Sequence, residues 1–180
     1  MKSQTVAPKP FGAKSREKKA SKSFGDGQKP ITIKNILVPT DFSPASKKAF
    51  SYALRFAEEL GCRLTLLHVL EPQTPLTLVG RPAAAAFSEQ ELADAEESLR
   101  ALADSAGTAG VAGTKSILRT GVATHEIVEA AKDLDVDLIV IATHGFTGWK
   151  HFAIGSTAER VARAAHCPVF VIREKEHDFL

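Results

Sequence analysis

Five short apolar runs, none longer than seven residues, alternate along this chain with four stretches in which apolar residues recur every three or four positions. The first run, Asn35-Ile36-Leu37-Val38-Pro39, is a continuous block stopped by a breaker, which marks a strand buried on both faces. Residues 64–70, 116–119, 137–142 and 168–173 supply the other strands; 137–142 is the clearest and 116–119 the weakest. Ser43-Pro44 sets a capping hydroxyl before a proline at the first helical position. Phe50, Ala53, Leu54 and Ala57 then form one apolar face, and Gly61 ends the helix. A second helix opens at Ser88 and carries Leu92, Ala95, Leu99, Leu102 and Ala106, with a glycine-rich connection from 107 to 113. Thr124 is the expected cap of a third helix bearing Ile127, Val128, Ala131 and Leu134. Ser156 opens the fourth, with Ala158, Val161, Ala162 and Ala165 inward. This alternation predicts right-handed βαβ crossovers and an α/β fold: a doubly wound, five-stranded parallel sheet covered on both faces.

Composition draws the domain boundary. The formal charge of +2 conceals a split: residues 1–34 hold nine basic residues and two acids, net +7, which leaves −5 on residues 35–180. The first thirty residues also lack apolar periodicity and are biased to Lys, Ser, Gly and Pro. Such a segment buries too little surface to offset chain entropy. Residues 1–33 are therefore expected to be a disordered basic arm, 34–174 the folded domain and 175–180 a tail. For the arm, a solvated tail, a weak contact with polyanions and a transit peptide are open readings; its single Arg speaks against the last. Residues 71–87 are proline-rich without a clear period, a loop long enough to act as a lid. Two cysteines, Cys62 and Cys167, cannot build a disulfide framework, no run is long enough to span a bilayer, and no leading apolar stretch resembles a secretion signal. The expectation is a cytoplasmic chain with reduced thiols and no membrane contact.

Ligands of an open doubly wound sheet bind past the carboxyl ends of the strands, where strand order reverses. Three segments lie there: Pro39-Thr40-Asp41-Phe42-Ser43, Thr143-His144-Gly145-Phe146-Thr147-Gly148, and Gly155-Ser156-Thr157. A helix start at the last segment leaves backbone N–H groups and a partial positive charge, Gly155 permits close approach, and Ser156 and Thr157 add hydroxyls, all suited to phosphate. Ser156 with Glu159 is equally the pattern of a capping box, which explains both residues without a ligand. Asp41 is open to two readings too, as a local cap or as an acceptor for a ligand amine or ribose hydroxyl. Six histidines without close pairing give no metal site, and no lysine follows a glycine loop as phosphate-binding hydrolases require. His144, beside the glycine loop, is open to loop packing or hydrogen bonding and to adding charge near bound phosphates, and Trp149 and Phe152 in the spacer read as packing or lid residues.

Residues 34–173 resemble the universal stress protein (UspA) family. The resemblance rests on Ile36-Leu37-Val38-Pro39-Thr40-Asp41-Phe42-Ser43, on Thr143-His144-Gly145 through Gly155-Ser156 to Ala158-Glu159-Arg160-Val161, and on Cys167-Pro168-Val169. It implies strand order 3-2-1-4-5 of the adenine nucleotide alpha-hydrolase-like type, reversing between strands one and four, where Asp41 and Gly145 fall. ATP-binding members carry G-x2-G-x9-G-[ST]. Here Ala142 stands at the first glycine, while Gly145 and Gly155-Ser156, separated by residues 146–154, match the rest. The resemblance thus implies that Asp41 and Val69 contact adenine or ribose, that Ala142, Gly145, Gly155, Ser156 and Thr157 line ribose and phosphates, and that Pro39 and Thr40 shape the strand tip. Gly148 lies in the spacer, outside the motif.

Two functions follow as expectations. One is a stress-response binding protein that takes ATP, with Mg2+ on the phosphates, and hydrolyses it slowly at most, because no positioned base is evident. The other is a nucleotide-free module of the same family in which Ala142 marks a lost site. The family implies a homodimer through the last strand, 168–173, and an apolar edge strand seeks a partner.

Overall fold

The computed structural model describes residues 32–72, 87–143 and 155–173. Most of the expected arm, residues 73–86 of the expected loop and the tail lie outside the described residues, as do His144, Gly145, Gly148, Trp149, Lys150 and Phe152. In chain order the elements are β1 (Asn35–Pro39), α1 (Pro44–Leu60), β2 (Arg63–Leu70), α2 (Glu89–Thr108), β3 (Lys115–Thr120), α3 (Ala123–Asp133), β4 (Leu138–Ala142), α4 (Ser156–Ala164) and β5 (Val169–Ile172). All strand pairs are parallel, in the order β3-β2-β1-β4-β5.

The period of two along each strand divides the core into two layers. Ile36, Val38, Leu64, Leu66 and Val140 face Phe50, Tyr52 and Ala53 of α1 and Leu99 and Ala106 of α2. Leu37, Leu67, Ile139 and Ile141 face Ile127, Ala130 and Ala131 of α3 and Ala158 and Val161 of α4. This two-sided covering is why the strands read as unbroken apolar runs rather than alternating ones.

Helix α1 begins and ends as its sequence predicts. The Ser43 hydroxyl accepts the Ser46 N–H at 3.2 Å, Pro44 occupies the first turn, and Gly61 closes the helix at φ 65°. At α2, Ser88 and Glu91 form a reciprocal capping box, and the hydrogen bonds from Ser88, backbone first, hold the Glu91 carboxyl below its ordinary range. Helix α3 departs from expectation. Its first helical bond runs from the Glu126 N–H to the Val122 carbonyl, so Val122 is the N-cap and Thr124 already sits inside the first turn. The cap arrives from a distance instead: the Glu71 carboxylate, at the end of β2, accepts the Ala123 N–H at 2.6 Å.

The amino edge of the sheet is sewn together by buried polar groups. Asn35, 7% exposed, donates through Nδ2 to the Leu134 carbonyl at 3.1 Å and accepts the Thr65 hydroxyl at 3.3 Å. The Asp137 carboxylate takes the N–H groups of Lys34 at 2.7 Å and Asn35 at 2.9 Å. Cys62 and Cys167 are both unbridged; burial raises both thiols above their ordinary value, with the negative charge of Asp137 a smaller push in the same direction. Among the described residues no helix is long and apolar enough to cross a membrane.

Candidate functional site

Strand order reverses between β1 and β4, and there the sheet splits. The β1–β4 ladder holds Ile36↔Leu138 and Leu37↔Ile139. The outer ladders run further: β1 pairs β2 up to Pro39↔Leu67, extended by the Thr40 N–H to the Leu67 carbonyl at 2.8 Å. Likewise β4 pairs β5 up to Ala142↔Ile172, extended by the Thr143 N–H to the Ile172 carbonyl at 2.8 Å. The sequence supplies a reason. The Asn35 carbonyl accepts from Asp137, so Asn35 points its backbone at β4, and alternation turns Leu37 and Pro39 the same way. Pro39 has no N–H, so the next donor that could zip β1 to β4 is missing. Past this point no ladder pair joins the two strands, and the β1 tip and the end of β4 stand on either side of the reversal.

The β1 tip is held from inside. Thr40 is buried, and its hydroxyl lies 3.1 Å from the Ser46 hydroxyl while accepting the Phe42 N–H at 3.0 Å. Ser46 in turn donates to the Ser43 carbonyl at 3.0 Å. Asp41 is half-buried just past β1, and its Oδ1 accepts the Ser43 N–H at 3.1 Å in a local turn. Both readings of Asp41 thus survive, since a carboxylate has lone pairs for the turn and for a further donor. Phe42 stands at φ 63°, a left-handed conformation that an aromatic residue adopts only under constraint.

Pro39 is buried beside Thr40; both shape the tip rather than present polar atoms outward. Val69, half-buried in β2, packs against the α3–α4 layer. Ala142 is half-buried at the end of β4, and its methyl packs against the α1–α2 layer, on the other face of the sheet. Gly145 lies outside the described residues. Gly155 and Thr157 are half-buried and Ser156 is exposed.

The capping box expected from Ser156 and Glu159 does not form. The first bond of α4 runs from the Glu159 N–H to the Gly155 carbonyl at 3.0 Å, so Gly155 is the N-cap and Ser156 is already the first helical residue. Its hydroxyl is one position too late to cap, and the Glu159 carboxylate pairs with Arg163 at 2.7 Å. No side chain among the described residues caps α4.

His68 is the tip residue that sequence reasoning passed over. Its Nδ1 lies 2.7 Å from the Thr40 carbonyl, and its ring sits 4.6 Å from the Phe42 ring, tilted by 37°. The signal was present: a polar residue within the apolar carboxyl half of the strand, Leu66–Leu70, two positions from its end. Among the described residues no three of His, Cys, Asp and Glu gather to hold a metal ion.

A family model described as the universal stress protein family matches residues 32–173. A universal stress protein of Methanocaldococcus jannaschii is 34% identical over 148 residues, 81% of this chain and 85% of that one. The structure of the universal stress protein UspA from Lactobacillus plantarum superposes with a TM-score of 0.71 at 31% identity, covering 80% of this chain and all of that one. A universal stress protein solved in complex with cAMP has the same fold, with a TM-score of 0.64 at 21% identity, over 81% of this chain and 100% of that one.

Proposed function

We propose that this chain, which belongs to the universal stress protein family, binds an adenine nucleotide, ATP, in the crevice between β1 and β4. The observation that carries the reading is the split ladder: β1 and β4 part after Leu37↔Ile139 while the ladders to either side continue. In this reading the gap is served by Asp41, a carboxylate suited to adenine or ribose donors, and by the α4 start Gly155-Ser156-Thr157, whose backbone N–H groups suit phosphate. The cAMP complex of a protein with this fold supports the choice of an adenine compound. Ala142 in the first glycine position is compatible with it, because the methyl packs toward α1 and α2, away from the face that bears Val69 and α4. Mg2+ would travel on the phosphates, as it does where a site offers few carboxylates of its own. Asp41, Val69, Ala142, Gly145, Gly155, Ser156 and Thr157 line the site in this reading, with Pro39 and Thr40 as its scaffold.

The chain then acts as a cytoplasmic, ligand-controlled binding protein of the stress response, with hydrolysis slow at most. Chain purified without added nucleotide should release an adenine nucleotide on acid treatment, identified by mass spectrometry. Gly155→Val, which places a branched side chain where phosphate would meet backbone, should release about tenfold less; equal release from both proteins removes the helix start from the site.

A second, compatible proposal concerns assembly. β5 is an edge strand, and its Val169, Phe170 and Val171 are half-buried. An apolar edge of this kind pairs with a second copy. Sedimentation velocity at micromolar concentration should return twice the 19.3 kDa chain mass; a single-chain mass refutes it.

A further inference from the structure

We infer that His68 is a positioning residue: it clamps residues 40–42 from beneath and thereby fixes the direction of the Asp41 carboxylate. A carbonyl oxygen only accepts, so the 2.7 Å contact with the Thr40 carbonyl requires the proton on Nδ1. The same ring packs on Phe42, the residue held at φ 63°. Strained backbone of this kind persists only where its surroundings over-determine it, and it collects at ligand-binding turns. The Thr40 hydroxyl holds the Phe42 N–H at 3.0 Å from within the turn, and Asp41 holds the Ser43 N–H at 3.1 Å on the far side. Thr40 spends its own N–H on Leu67, which leaves its carbonyl for His68. His68 ties this turn to the neighbouring strand through its side chain, so losing it loosens the hold on Phe42 and on the direction of Asp41. His68 points to the face of the sheet opposite Val69, and so acts through Asp41 rather than on a ligand.

The inference rests on the nucleotide reading for its effect on affinity, and on geometry alone for the clamp. Two experiments keep them apart. Long-range 1H–15N correlation of the full chain should show a proton on Nδ1 of His68; a bare Nδ1 overturns the clamp whether or not nucleotide binds. Equilibrium titration with ATP should then show His68→Phe, which keeps a ring and loses the donor, binding about tenfold more weakly than wild type. His68→Asn, whose amide can still donate to Thr40, should recover part of that loss. In an Asp41→Ala background, His68→Phe should have no further effect, because the group it positions is gone. Affinity of His68→Phe within twofold of wild type, or losses that add fully in the double variant, overturn the inference. Wild type that binds no ATP refutes the nucleotide reading instead, and the clamp is then decided by the tautomer.

Discussion

Asp41→Ala should weaken ATP binding about thirtyfold while the chain stays folded. A hydrogen bond to a charged acceptor is worth about 2 kcal/mol, and about 1.4 kcal/mol is tenfold in affinity. The same substitution deletes the turn bond to the Ser43 N–H, which sits at the start of α1. That bond is local and partly solvated, so its loss costs about 1 kcal/mol of stability or less. Asp41→Asn separates the two contributions: it keeps an acceptor for the Ser43 N–H but loses the charge, and charge-assisted hydrogen bonds are roughly twice as strong as neutral ones. Its affinity should fall between wild type and Asp41→Ala, with stability close to wild type. Calorimetric titration and thermal unfolding of the three proteins check both. Equal affinities across the series would place the carboxylate outside the ligand contacts.

The largest stability effect is expected at the opposite edge of the sheet. Asn35→Ala leaves the Leu134 carbonyl and the Thr65 hydroxyl without their partner in a buried setting. Each orphaned group costs about 1–3 kcal/mol, so a loss of about 3 kcal/mol is expected. In a domain of this size that lowers Tm by about 10 °C. Asp137→Ala should cost about 2 kcal/mol, less because one of its two donors, the Lys34 N–H, is exposed and recovers water. Urea unfolding should show both midpoints falling with unchanged slope, as for a change in stability without a change in exposed surface. Because Asn35 and Asp137 lie at the amino ends of β1 and β4, neither substitution should alter ATP affinity at temperatures where the protein is folded.

Local chemistry explains why so much of the fold could be read from the chain. β1 and β4 are continuous apolar runs because both faces are covered, and α1 announces itself through Ser43-Pro44 and Gly61. What escaped was set by partners far apart in sequence. The Asn35–Asp137 contact spans 102 residues and the Glu71 cap on α3 spans 52, so Thr124 was the best local candidate for a role that a distant carboxylate fills. At α4 the local pattern misled in the other direction. Ser156 and Glu159 have the spacing of a capping box, but the helix begins at Gly155, one residue too early for the serine to cap. Asp41 was visible from its position after β1, whereas the strained Phe42 and the His68 beneath it needed the turn to be built before they could be seen.

The most direct test is a calorimetric titration of ATP, with Mg2+, into the full-length wild-type chain, repeated with GTP. Saturable binding of one ATP per chain is expected, with a weaker response to GTP and loss of the ATP signal when Asp41→Ala and Gly155→Val are combined. No saturable heat up to millimolar ATP, or an undiminished signal in the double variant, would contradict it.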